Sequence, residues 1–167
     1  METIPQKLNN YLLLLIFVFV AVSCTSNTVF NQYKTVADSS WKLNRNVEFN
    51  FTVKDTISKR NLYINIRNNN DYKFSNLYLI TQLTFPNKTK IIDTLQYKMA
   101  DLTGRFLGVG FSEIKENKLF YKEEKVFPYS GEYSFKVRQA MRKNGNSEGI
   151  KELEGITDVG FSIEKIN

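Results

Sequence analysis

From Asn46 onward the chain alternates. Val47, Phe49, Phe51 and Val53 fall on one side of an extended backbone, and Glu48, Asn50, Thr52 and Lys54 on the other. A period of two marks a strand with one buried face. Leu62, Ile64 and Ile66 repeat the pattern, with Tyr63, Asn65 and Arg67 outward. A third strand runs through Leu77, Leu79, Leu83 and Phe85 to a Pro86-Asn87 turn, and residues 90–97 give a fourth. Tyr133, Phe135 and Val137 follow a Ser130-Gly131 turn, and Val159, Phe161 and Ile163 form the last strand. Residues 106–111 and 119–127 are weaker strand candidates. The only helical candidates are short, at 137–143 and 150–154. Strands every 10–15 residues, separated by turn residues and without a long 3.6-period segment, predict an all-β fold. The expectation is a single antiparallel β-sandwich over 46–167, immunoglobulin-like or jelly-roll-like. Tyr133, just after a turn, is either a corner tyrosine returning its hydroxyl to the backbone or an ordinary inward aromatic.

The first 23 residues read as an address. Residues 11–22 are an unbroken apolar run, too short for the roughly 20 residues of a spanning helix and suited to a signal-peptide core. Ala21-Val22-Ser23 leads into Cys24, the only cysteine. Small residues before a lone cysteine resemble a bacterial lipoprotein cleavage box, so Cys24 is the expected lipidation site. The alternative is a plain signal peptide with an unused thiol. Removing residues 1–23 takes one Lys and one Glu and leaves the net charge at +6. Residues 24–45 are rich in Ser, Thr and Asn. They read as a lipidated tether ending in a short edge strand near Val29-Phe30.

Composition excludes several chemistries. There is no His, so His-based triads and His metal sites are absent, and one Cys cannot form an intrachain disulfide. No metal or other cofactor is expected. Carboxylates at Asp93, Asp101, Glu113 and Asp158 have no spacing that selects a catalytic pair, and turn caps account for them. The chain therefore reads as non-enzymatic.

The segment 101–110 sets three glycines around Arg105 and Phe106. It reads either as a recognition tip, since Arg and aromatics are enriched at interface centres, or as a bulged strand. Arg138 shares an outer strand face with Lys136, and with Arg142 and Lys143 forms a second candidate partner contact. Trp41 is a candidate aromatic contact for a sugar ring or membrane interface, or else closes the core. Elsewhere Lys and Glu alternate, which is no nucleic-acid stripe. Asp55-Thr56-Ile57 and Asp93-Thr94-Leu95 resemble a periplasmic O-glycosylation pattern, with Thr56 and Thr94 as acceptors.

Five strings in order carry a wider likeness: NNNDYKFSNLYLI at 68–80, YKMADLTGRFLG at 97–108, IKENK at 114–118, RQAMRKNG at 138–145 and LEGITDVGF at 153–161. Behind a lipoprotein signal they resemble the gliding motility-associated lipoprotein GldH family of the Bacteroidota, across about residues 29–163. The family often has Pro where this chain has Leu102, and Trp where it has Phe106. The resemblance implies a non-enzymatic lipoprotein required for gliding, working with the type IX secretion machinery as an assembly or scaffold component. It implies a membrane contact through the lipid and envelope-protein partners. With no acidic residue just after Cys24, the expected place is the periplasmic leaflet of the outer membrane. A glycan-binding surface lipoprotein is the alternative.

Overall fold

The computed structural model describes residues 27–110 and 112–166. The signal peptide and Cys24 lie outside the described residues. Ten strands follow: β1 (Thr28–Thr35), β2 (Ser40–Lys42), β3 (Val47–Val53), β4 (Arg60–Asn68), β5 (Asn76–Thr84), β6 (Lys90–Lys98), β7 (Lys115–Lys125), β8 (Gly131–Gln139), β9 (Glu152–Glu154) and β10 (Ile156–Lys165). One sheet has the order β1-β10-β4-β7 and the other β3-β8-β5-β6, while β2 and β9 form a small ribbon. All neighbouring strands within these sheets run antiparallel.

The pairing is nested. β5 pairs β6, β4 pairs β7, β3 pairs β8 and β1 pairs β10. One long hairpin is thus folded over into two four-stranded layers, which is jelly-roll topology. Of the two sandwich types expected, the connectivity is the jelly roll.

The inward residues of both layers meet in an aromatic core. Phe135 of β8 stacks on Phe161 of β10 across the layers at 4.1 Å, and Phe51 lies 5.6 Å from both Phe161 and Tyr133. Leu62, Ile64, Ile66, Leu77, Leu79 and Leu83 fill the rest and are fully buried. Tyr133 is a corner tyrosine: its hydroxyl donates to the Tyr129 carbonyl at 2.8 Å. Burial raises its pKa, since the phenolate would lose water.

One lateral edge is tied shut. The Tyr97 hydroxyl of β6 donates to the Phe120 carbonyl of β7 at 2.6 Å, and Asp93 of β6 accepts from Tyr121 and pairs with Lys122. Burial pushes the Tyr97 phenol up to about 12, with Asp93 beside it adding to the rise.

The outer face of the first sheet is spanned by one chain of contacts. Gly160 on β10 leaves room for the Tyr33 ring, because a Cβ there would sit 2.8 Å from it. The Arg67 guanidinium lies 4.2 Å over that ring, and Glu116 accepts from both Tyr33 and Arg67. All four strands are thereby cross-linked.

Three expectations change. Much of the segment expected as tether is ordered: β1 is an eight-residue edge strand, and β2 pairs with β9. The helix expected at 137–143 is instead the end of β8 and a turn back into the core, because Gln139 satisfies backbone in place of helical bonds. Its amide donates to the Ile150 carbonyl and accepts from the Met141 N–H. The helix expected at 150–154 is β9, registered by Leu153 opposite Trp41. The 106–111 candidate makes only single bridges, Ala100 with Phe106 and Val109 with Glu116; Phe111 lies outside the described residues.

Candidate functional site

The two ends of the sandwich differ. The connections 54–59, 85–89 and 126–130 lie at the end where β1 begins and β10 finishes. The connections 36–46, 69–75, 99–114 and 140–155 gather at the opposite end. Most candidate contact residues fall on the latter.

The 99–110 segment is built from within. Met99 N–H and Ala100 N–H both donate to the Ser75 carbonyl, and Leu107 N–H returns to Met99. Asp101 is its hub. One carboxylate oxygen accepts from the Thr103 N–H at 2.9 Å, the Thr103 hydroxyl at 2.7 Å and the Arg105 N–H at 3.0 Å. The other faces the Arg105 guanidinium at 3.3 Å. These bonds favour the charged form, led by the Thr103 hydroxyl, and lower Asp101 to about 2. Gly104 takes a φ of 86°, which closes the turn. The loop presents Leu102 at 99% exposure, with Leu107 and Val109 also exposed.

Arg105 is exposed, as a tip requires, but Phe106 is not a tip. It is half-buried, 6.4 Å from Tyr72, and packs against the core. Leu102 takes the outward position instead. Arg142 and Lys143 reach the same end from the other side, where the bridge from Arg142 to Gly149 holds the 142–149 excursion. Between them and Asp101–Leu102 lies an open cleft of about 970 Å³, also lined by Lys73, Tyr97 and Lys98. Arg105 faces a neighbouring concavity with Asn70 and Lys115. Arg138 does not join the cleft. It sits half-buried on β8, registered with Ile80 of β5.

Trp41 offers no contact surface. It is 1% exposed, its indole N–H donates to the Arg45 carbonyl at 2.9 Å, and it closes the core under the β2–β9 ribbon. Of the carboxylates considered for catalysis, Asp93 is engaged with Tyr121 and Lys122, Asp158 with Thr35 and Asp101 within its own turn, and Glu113 is exposed. Thr94 is exposed on β6 and Thr56 is half-buried in the 54–59 connection.

The cleft therefore offers a rigid apolar prow beside a cationic rim, which suits a protein surface with an apolar centre and carboxylates around it. The family model for the GldH lipoprotein matches residues 28–163, the whole sandwich from β1 to β10. This chain belongs to the GldH lipoprotein family. It is similar to the gliding motility lipoprotein GldH homolog of Christiangramia forsetii, with 48% identity over 90% of this chain and 93% of that one. It is also similar to the gliding motility lipoprotein GldH of Flavobacterium johnsoniae, with 42% identity over 96% and 99% of the two chains. Among solved structures, the VP2 subviral particle protein of infectious bursal disease virus aligns at a TM-score of 0.38 and 12% identity. That alignment covers 84% of this chain and 33% of that one.

Proposed function

We propose that the protein is a lipid-anchored cell-envelope component of the gliding machinery. It serves there as a non-enzymatic assembly or scaffold part, linked to type IX secretion. The observation that carries this reading is the match of the entire sandwich, residues 28–163, to the GldH lipoproteins, whose characterised names concern gliding motility. The far-end prow supports a binding role over catalysis. Leu102 is held out on a turn that Asp101 bonds from within, so that carboxylate is occupied in structural contacts. Lipid on Cys24 would hold the domain at the membrane, in this reading the periplasmic leaflet of the outer membrane. The prow would then point away toward an envelope protein.

The test is deletion of the gene and complementation with wild type, Cys24→Ala or Leu102→Asp, scoring colony spreading and protein secretion together. Loss of both on deletion, with rescue by wild type alone, is the expected result. Normal spreading and secretion in the deletion strain would overturn the reading. Leu102 is almost fully exposed, so its substitution tests contact and leaves the fold intact.

A further inference from the structure

The end of the sandwich opposite the cleft has a composition of its own. The 54–59 connection is a built turn. Asp55 accepts from the Ile57 N–H at 3.0 Å and the Ser58 N–H at 2.9 Å, and its other oxygen pairs with Arg60 at 2.8 Å. The turn lifts Ile57 to 86% exposure, an aliphatic side chain on an ordered tip. Val29, Val126, Tyr129 and Ile166 are further exposed hydrophobics at this end. The same end carries Lys54, Lys88, Lys90 and Lys165, none of which lies in an ion pair among the described residues. The carboxylates here are mostly engaged: Asp55 with Arg60, Glu124 with Lys59, Glu164 with Lys118. Glu123 and Glu132 make no such pair among the described residues.

The chain supplies the geometry. Only Thr25, Ser26 and Asn27 separate Cys24 from β1. Four peptide steps reach at most about 14 Å, whatever path they take. β1 starts at this end, its Thr28 opposite Glu164. A lipid on Cys24 therefore places this end, not the cleft, within one short reach of the bilayer. The nine-residue strands rise about 3.3 Å per residue, which sets the cleft about 30 Å farther out.

We infer that this end is a bilayer-seating surface: Ile57 enters the headgroup layer, and the lysines of the same end meet anionic phospholipid phosphates. An aliphatic tip on an end that also carries cations suits an interface that is apolar below and anionic at its surface. The surface holds this end against the bilayer, whereas the lipid alone only keeps it within reach. The inference rests on the lipidation of Cys24.

The lipidated protein, reconstituted in phosphatidylethanolamine–phosphatidylglycerol vesicles, tests it. A fluorophore is placed at Thr89→Cys, in the β5–β6 turn at the seating end, or at Asn144→Cys at the cleft end. Quenching by headgroup-nitroxide lipid is expected to be several-fold stronger at position 89 than at 144. Ile57→Asp should remove most of that difference, with circular dichroism unchanged. Equal quenching at both positions, or stronger quenching at 144, would overturn the inference while leaving anchoring intact. A mass without the lipid on Cys24 would overturn both.

Discussion

Gly155 carries more of the fold than its size suggests. It sits between β9 and β10 at a φ of 83°, and its N–H donates to the Ser39 carbonyl while its carbonyl accepts from Asn69. A Cβ there would lie 2.1 Å from the Tyr72 backbone nitrogen, so no side-chain motion relieves the clash. Gly155→Ala is expected to cost about 3 kcal/mol or more, from left-handed strain and overpacking together, and to lower Tm by about 10 °C. Asp101 makes a prediction in pH. Its pKa is lowered by the Thr103 hydroxyl first and then the Arg105 N–H, to about 2. A depressed carboxylate stabilises fully above its unfolded value near 4 and loses that contribution as pH falls through the folded value. The Thr103 and Arg105 amide signals should hold steady down to about pH 3 and shift with a midpoint near 2. A shift centred at the ordinary value would contradict the hub geometry. The sequence left 101–110 open between a tip and a bulged strand and did not show which side chains are exposed. Arg105 is exposed and Phe106 half-buried, because the aromatic finds Tyr72, thirty-four residues earlier in the chain.

The strands divide by how much pattern they carry. β3, β4, β5, β6, β8 and β10 each present three or more inward residues at a spacing of two, and alternation revealed them. β2 and β9 each bury one residue, Trp41 and Leu153, and a period cannot be read from one residue. Val137, Ala140 and Met141 imitate a helix spacing, and the buried amide of Gln139 makes the extended path possible instead. Two element contacts yield tests. Gly160→Val should expel the Tyr33 ring, separate Arg67 from it and cost about 2 kcal/mol, read by urea unfolding. Tyr133→Phe leaves the Tyr129 carbonyl without its donor and should cost about 1 kcal/mol with an unchanged m-value.

At the scale of the molecule, two ends with different surfaces sit on one sandwich of strands, and the first and last strands are neighbours. The alternation made the layers legible but not their nesting, because register between distant strands depends on the aromatic core they share. β10 lies inside its sheet, flanked by β1 and β4, so ending the chain at residue 155 removes a central strand and not an edge. That truncation is expected to abolish cooperative unfolding, measured by near-ultraviolet circular dichroism during a urea titration. The nesting also orders events in time. Every pairing outside the β5–β6 hairpin closes a progressively longer loop, so refolding should be slow, on the order of milliseconds to seconds. A chain delivered from its N-terminus has its anchor before it has β10. β1 then waits as an unpaired strand until β10 arrives to join it to the sheet. The finished sandwich thus requires β10, and a chain cut short before it leaves β1 open to proteases.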